Sequence, residues 1–578
     1  MPTSTRPAAS RTVLRPARAR KRRRVVWIRL APLLIAAGLA FVAGLAVGAG
    51  GEDARRAAAR DFTAAWQRGD YGAMYGLLTP AARREVTLER FAGAYRRAAA
   101  VSTLSGITPG RPADPDADGV VRVPTTVRTR VFGTLSSDLA VPVVDDEEGA
   151  WVRWEPHLVF PGLREGEKLR RSTRVAQRAA LQAGDGTVLA EGAARTGAAG
   201  PAAADIVGTV GEAPPERAAE LRRRGIPLDT PVGLSGLERE FDVDLAGRPG
   251  GRLRAGDRVL ASVEPVKGAD VRTSIDLDLQ AAAVTALAGR YGGIAVMRPG
   301  SGEVLALAGI AYSAPQPPGS VFKIITLTGA LENGTVKPSD SWPVQQAAVL
   351  EGVELENANG EFCGGSLRNS FAHSCNSVFA PVGAELGADK LVAEAEKFGF
   401  NETPSLAGAQ PSTIPPAGEI GDDLAVGSTA IGQGRVLATP LEFATIAATI
   451  AERGMRPEPT LRKGAAPRRE RIVREDVART VGRYMRAVVT SGTGTAAALP
   501  GVKVAGKTGT AELRDTTPEP DPVTGAVVPS DASDTNAWFA AYAPVRNPKL
   551  AVAVMLVGAG AGGATAAPAA RVVLDAGT

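Results

Sequence analysis

The sequence predicts a multidomain α+β protein, on two observations. In residues 271–578, hairpin signals stand at both ends. Gly293-Ile294-Ala295-Val296-Met297-Arg298 and Glu303-Val304-Leu305-Ala306-Leu307-Ala308 flank Pro299-Gly300-Ser301-Gly302, and residues 536–542 and 550–557 flank Arg546-Asn547-Pro548. Apolar helical segments fill the interval, so an antiparallel sheet packed by helices is expected. The second observation is a change of period nearer the start. Helical spacing over residues 52–100 (Phe62, Trp66, Met74, Leu78, Phe91, Tyr95) gives way to alternation over residues 120–160 (Val121, Val123, Val127, Val131). At 578 residues the chain is too long for a single core.

Taken in order, residues 1–29 form a basic tail with ten Arg or Lys and no acid, in a chain of net charge +6. Residues 30–50 carry no charge, and 21 residues at about 1.5 Å each reach across a bilayer core. A single N-terminal transmembrane helix is therefore expected. The flanking Lys21-Arg22-Arg23-Arg24 would sit in the cytoplasm and the bulk of the chain outside. A cleaved signal peptide is the alternative, but the apolar run is longer than the roughly 7–15 residues usual there. Asp70-Tyr71 and Thr79-Pro80 divide the helical part of residues 52–164. Residues 165–270 read as a second region without catalytic residues, including an Ala/Gly-rich loop over 192–204. Thr273-Ser274-Ile275-Asp276-Leu277-Asp278 opens the last region, with Asp276 or Asp278 near a helix start.

Chemistry concentrates in that last region. Pro318-Gly319 turns the chain into Ser320-Val321-Phe322-Lys323-Ile324-Ile325-Thr326-Leu327, a mostly apolar helical run near whose start Ser320 and Lys323 lie one turn apart. A serine hydroxyl is a weak nucleophile until a base takes its proton, and a lysine amine in apolar surroundings can be that base. Taken alone, the pair matches a surface lysine near a serine as readily as an active site. Ser374-Cys375-Asn376 follows, then Lys507-Thr508-Gly509-Thr510 after the strand-like Val502-Lys503-Val504-Ala505-Gly506. His157 and His373 are the only histidines, which leaves a Ser-His-Asp triad poorly supplied. The cysteines and histidines lack metal-ligand spacing, and no phosphate loop is present, so no cofactor or metal is expected.

The three motifs in this order resemble the signature set of penicillin-binding proteins and serine β-lactamases. Asp61-Phe62-Thr63-Ala64-Ala65-Trp66-Gln67 and Trp154-Glu155-Pro156-His157-Leu158-Val159-Phe160-Pro161 resemble the NTF2-like (MecA-type) domain of some class B members. Gly233-Leu234-Ser235-Gly236-Leu237-Glu238-Arg239-Glu240-Phe241-Asp242 resembles part of their pedestal, whereas Arg178 to Gly186 matches its opening poorly. The implied domains are a tail (1–29), an anchor (30–50), an NTF2-like domain (52–164), a pedestal or dimerisation-like region (165–270) and a penicillin-binding transpeptidase domain (271–578).

The resemblance implies a D,D-transpeptidase of the bacterial cell membrane that cross-links peptidoglycan stem peptides through a Ser320 acyl-enzyme and binds β-lactams. It makes Ser320 the nucleophile, Lys323 its base, Ser374 a proton relay, and Asn376 a ligand of Lys323 and the substrate amide. Lys507 supplies positive charge, Thr508 and Thr510 hold the substrate carboxylate, and Gly509 allows close backbone approach. A D,D-carboxypeptidase or β-lactamase and a non-enzymatic β-lactam sensor are the alternatives. A membrane glycosyltransferase of the cell-wall machinery is the partner it admits; nucleic acid is not. Cys363 and Cys375, the only cysteines, are 12 apart and expected to pair in an oxidising compartment, two separate thiols being the alternative.

Overall fold

The computed structural model describes residues 53–512 and 534–578. Its chain forms two compact units, one from residues 53–171 with Arg252–Ala261, the other from Ser172–Gly251 with Ser262–Thr578.

In the first unit, helices Ala54–Arg68 and Leu88–Ser102 pack on a four-stranded antiparallel sheet of Leu104–Pro109, Val120–Thr129, Gly133–Asp146 and Gly149–Val152, in that order. Local chemistry sets the helix ends. The Asp53 and Thr87 side chains accept the Arg55 and Arg90 N–H groups, and Gly69 closes the first helix at φ 72°, a left-handed turn that costs glycine little. Along Val120–Thr129 alternation sends Val121, Val123 and Val127 inward and Arg122 and Arg128 outward. Against them packs an aromatic cluster in which Tyr95 meets Trp66 edge-on at 5.2 Å and Phe91 meets Trp154 at 5.4 Å.

The second unit is built on a five-stranded antiparallel sheet. Its order is Val304–Gly309, Gly292–Met297, Leu550–Leu556, Thr535–Ala543, Ala505–Glu512. The two hairpins expected from sequence lie side by side in it, with Val304–Gly309 at one edge. Both faces are covered, so the strands of the two hairpins read as mostly apolar runs. Ala295, Trp538, Ala540, Ala553 and Met555 enter one core with helix Pro440–Ala451, while Ile294, Val296, Phe539, Val552 and Val554 enter the other with helices Leu277–Leu287 and Ala566–Gly577. Trp538 is wholly buried against Phe443, and trimming it to alanine should cost about 3–5 kcal/mol. Ala505–Glu512, the strand with the Lys507 motif, is an edge. A 3₁₀ turn, Gly319–Phe322, lies beside it and runs into helix Lys323–Glu332.

Among the described residues no helix is long and apolar enough to cross a membrane. The expectation of a fold with a single N-terminal transmembrane helix, and the single-pass membrane localisation built on it, are corrected accordingly. The reason is physical. Helix Glu475–Ser491, the longest described, has 17 residues and carries Arg479, Arg483 and Arg486. The more apolar Pro440–Ala451 has only 12, about 18 Å of rise, and is spent filling the core. The stretch over residues 30–50 itself lies outside the described residues.

Candidate active site

Three segments converge on one buried point. Ser320 stands in the 3₁₀ turn, which approaches its neighbours closely. Gly319 has φ 55°, and a Cβ there would fall 2.3 Å from the Thr510 carbonyl oxygen. Gly432, from the Ile431-Gly432-Gln433-Gly434 stretch, accepts the Gly319 N–H at 2.9 Å, and a Cβ on it would fall 2.0 Å from the Gly319 oxygen. Only glycine fits either place. Trp538 holds the turn from the other side, its indole N–H donating to the Pro317 carbonyl at 2.8 Å.

One helical turn on, Lys323 is fully buried. Its Nζ lies 3.0 Å from Ser320 Oγ, 2.7 Å from the Ser374 carbonyl oxygen, 3.3 Å from Ser374 Oγ and 2.6 Å from Asn376 Oδ1. Lys507, also fully buried, donates from Nζ to Ser374 Oγ at 2.8 Å and to the Thr508 carbonyl at 2.9 Å. Ser374 Oγ thus bridges the two amines. Burial, and then the Lys507 charge, hold the Lys323 ammonium well below its ordinary pKa, while burial pulls Lys507 down to about 7.

Ser374 reaches this position at φ 62°, a conformation a non-glycine residue adopts at a cost of order 1–3 kcal/mol and keeps only when its surroundings fix it. Here the Cys375 N–H bonds the Ser370 carbonyl at 2.9 Å, and Cys375 is disulfide-bonded to Cys363, with Cα atoms 5.4 Å apart.

Ser320, Lys323, Ser374, Asn376 and Lys507 therefore form one hydrogen-bonded group. Thr508, Gly509 and Thr510 continue along the edge strand. Thr508 Oγ1 meets Thr493 Oγ1 at 2.5 Å, and Thr510 Oγ1 accepts the Gly562 N–H at 3.3 Å. A Cβ at Gly509 would fall 2.7 Å from the Pro318 carbonyl, so this glycine lets the turn that carries Ser320 approach. His373 is exposed. Sequence reasoning passed over Thr493 and Asn357, whose contacts join segments far apart in the chain and leave no periodic trace.

A serine and a buried lysine one turn apart, set beside the edge strand of a helix-flanked antiparallel sheet with a Lys-Thr-Gly motif, define the penicillin-interacting serine proteins. Family models agree by region. A penicillin-binding protein transpeptidase domain matches residues 292–575, an NTF2-like N-terminal transpeptidase domain residues 54–167, and a penicillin-binding protein dimerisation domain residues 173–273. The peptidoglycan D,D-transpeptidase PbpA of Mycolicibacterium smegmatis is 37% identical over 290 residues, 46% of this chain and 56% of the relative. Its namesake from Mycobacterium tuberculosis is 36% identical over 306 residues, 48% of this chain and 58% of the relative. The chain thus spans somewhat over half the length of these curated relatives. The crystal structure of PBPA from Mycobacterium tuberculosis superposes with TM-score 0.55 at 26% identity, covering 69% of this chain and 99% of that one. The D,D-transpeptidase domain of a peptidoglycan glycosyltransferase from Eggerthella lenta does so with TM-score 0.56 at 27% identity, covering 69% and 98%. The chain belongs to the class-B-like penicillin-binding proteins with an NTF2-like, MecA-type N-terminal domain.

Proposed function

We propose that the chain is a serine-type peptidoglycan D,D-transpeptidase, and that β-lactams acylate it at Ser320. One observation carries the mechanism. A neutral amine has two N–H groups and one lone pair, and two partners of Lys323 Nζ, the Ser374 carbonyl and Asn376 Oδ1, can only accept. Once those take both N–H groups, the lone pair faces Ser320 Oγ at 3.0 Å. Burial, and then the Lys507 charge, lower the Lys323 pKa and so favour the neutral amine that has this lone pair.

In the reaction, Ser320 Oγ attacks the carbonyl carbon of a D-alanyl-D-alanine stem while its proton passes to Lys323. The oxyanion is received by backbone N–H groups of Ser320 and Thr510, of which one such donor is worth about 3–4 kcal/mol in enzymes where it was removed. Lys323 returns the proton through Ser374 to the departing amide nitrogen, and the terminal D-alanine leaves as a free amine. An amine of a second stem then attacks the ester; its proton follows the reverse path and Ser320 regains its hydroxyl. Lys507, Thr508 and Thr510 receive the terminal carboxylate. The acceptor stem would belong to a glycan strand, so the proposal extends to a glycosyltransferase of the cell-wall machinery as the partner that supplies it.

The family relation supports this reading. PBPA of Mycobacterium tuberculosis, whose solved fold this chain shares at 26% identity, has been trapped as a penicillin G acyl-enzyme complex. The test is mass spectrometry after incubation with penicillin G. The adduct should map to the peptide holding Ser320 and vanish in Ser320→Ala. Labelling that survives that substitution would defeat the proposal, whereas release within seconds would favour a hydrolase over a transpeptidase.

A further inference from the structure

We infer that Asn357 is a positioning residue that aims the Lys323 lone pair, acting through the Glu356 carbonyl and the Asn376 amide. This rests on the proposed roles of Ser320 and Lys323.

A hairpin, Ala347–Leu350 with Val353–Glu356, reverses at Glu351 and Gly352 and packs against helix Asn376–Leu386. At its end, the Glu356 carbonyl accepts a hydrogen bond from Asn376 Nδ2 at 2.8 Å. That contact decides which way the Asn376 amide faces. A carbonyl only accepts, so the amide edge toward Glu356 is the nitrogen and the edge 2.6 Å from Lys323 is the oxygen. Turned over, the amide would offer N–H groups to the Lys323 amine. Its lone pair would then be engaged by Asn376 and turned from Ser320.

Asn357 holds Glu356 in place. It is 4% exposed, and its side-chain hydrogen bonds run to three other segments. Oδ1 accepts the Ser377 N–H at 2.9 Å, and Nδ2 donates to the Gln345 and Glu361 carbonyls, each at 2.9 Å. These partners again fix the orientation, since an N–H needs the oxygen and two carbonyls need the nitrogen. Ser377 lies in the first turn of helix Asn376–Leu386, where N–H groups lack helical partners. Cys375 occupies the cap position but makes no side-chain cap bond. Asn357 supplies that cap from a distant stretch of chain, and in doing so clamps the hairpin end onto the start of the helix that bears Asn376.

The test measures acylation of the full chain by a fluorescent penicillin across pH, with each rate expressed per titratable active site. In Asn357→Ala the plateau rate should fall on the order of 10- to 100-fold, the loss expected of a small misplacement. Its acid limb should move to lower pH, because a Lys323 ammonium without the Asn376 oxygen is less favoured. Half-saturation should change by less than about threefold if only the reacting groups are disturbed. Asn357→Asp keeps an acceptor for Ser377 and loses the donors to Gln345 and Glu361, so its rate should lie between the two; it also carries the test if the alanine variant does not fold. Wild-type rates per site in both variants would overturn the inference. So would lower rates with an unmoved acid limb, the mark of a merely structural residue. Ser320→Ala is run alongside: labelling there would defeat the site assignment itself, a result distinct from failure at Asn357.

Discussion

Two places in the second unit bury charge, and they do so in opposite ways. In the region matched by the dimerisation model, Glu238 and Asp242 are almost wholly enclosed, yet every charge meets its opposite. Arg178 donates to Glu238 at 2.7 Å and to Asp242 at 2.7 Å, Arg195 to Glu238 at 2.7 Å, and Arg217 to Asp242 at 2.8 Å. Burial alone would raise the Asp242 pKa, but the Gly233 N–H and the Arg217 and Arg178 guanidinium groups outweigh it and bring the net value below the ordinary one. At the candidate active site, Lys323 and Lys507 are equally buried, share one serine hydroxyl, and meet no carboxylate among the described residues. Paired burial holds a structure together. Burial of amines without a carboxylate costs stability and lowers their pKa values, a pattern that marks candidate functional sites.

Breaking each region should therefore move a different observable. The largest effect is expected at Lys323→Met, which removes the proposed base: acylation by penicillin should fall by roughly 10²- to 10⁴-fold. Thermal stability should hold or rise, because a desolvated amine is gone. Glu238→Gln should do the reverse, leaving two buried guanidinium groups short of a partner. A loss of about 3–5 kcal/mol in chemical denaturation is expected, with acylation per folded molecule unchanged. If Glu238→Gln slowed acylation at full stability, the division of labour between the two regions would be wrong.

Lys507→Met tests the comparison through pH. An unfolded lysine takes its proton near 10.5, the folded Lys507 only near about 7. Between those values the unfolded chain binds more protons, so stability falls as pH falls through that window. The variant should lose one proton's share of that slope, about 1.4 kcal/mol per pH unit. Identical slopes in variant and wild type would mean that Lys507 titrates normally. The smallest effect is expected for Thr493→Val, which breaks a hydroxyl pair with Thr508 worth about 1 kcal/mol; capture of a carboxylate-bearing β-lactam should weaken about fivefold, read as half-saturation in stopped-flow.

Much of the candidate site's geometry was legible in the sequence because it follows local rules. Pro318-Gly319 announced the turn, the apolar run after Ser320 announced a buried helix, and of the two acids placed near a helix start, Asp276 or Asp278, it is Asp276 that caps, accepting the Asp278 and Leu279 N–H groups. The hairpins showed as apolar runs around Pro/Gly turns, and the motif set gave away the site by order and spacing. What stayed hidden is long-range. Nothing near Asn357 says that it bonds Ser377, nothing near Thr493 points to Thr508, and nothing near Gly509 says that the Pro318 carbonyl lies where its Cβ would be. The paired charges around Glu238 were half visible. The segment containing Glu238 and Asp242 stood out, but Arg178, in the stretch that matched poorly, is the residue that ties both acids together.

The central claim is that Lys323 is a neutral base facing Ser320 while Lys507 supplies the charge beside it. The most direct measurement is the second-order rate of acylation by penicillin G as a function of pH, which reports ionisations of the free protein. The rate should rise along an acid limb far below 10.5, as Lys323 sheds its proton, and decline above about 7 as Lys507 loses the charge that receives the ligand's carboxylate. A rate that keeps climbing through pH 10 would mean that Lys323 is charged across the neutral range, and would contradict the account.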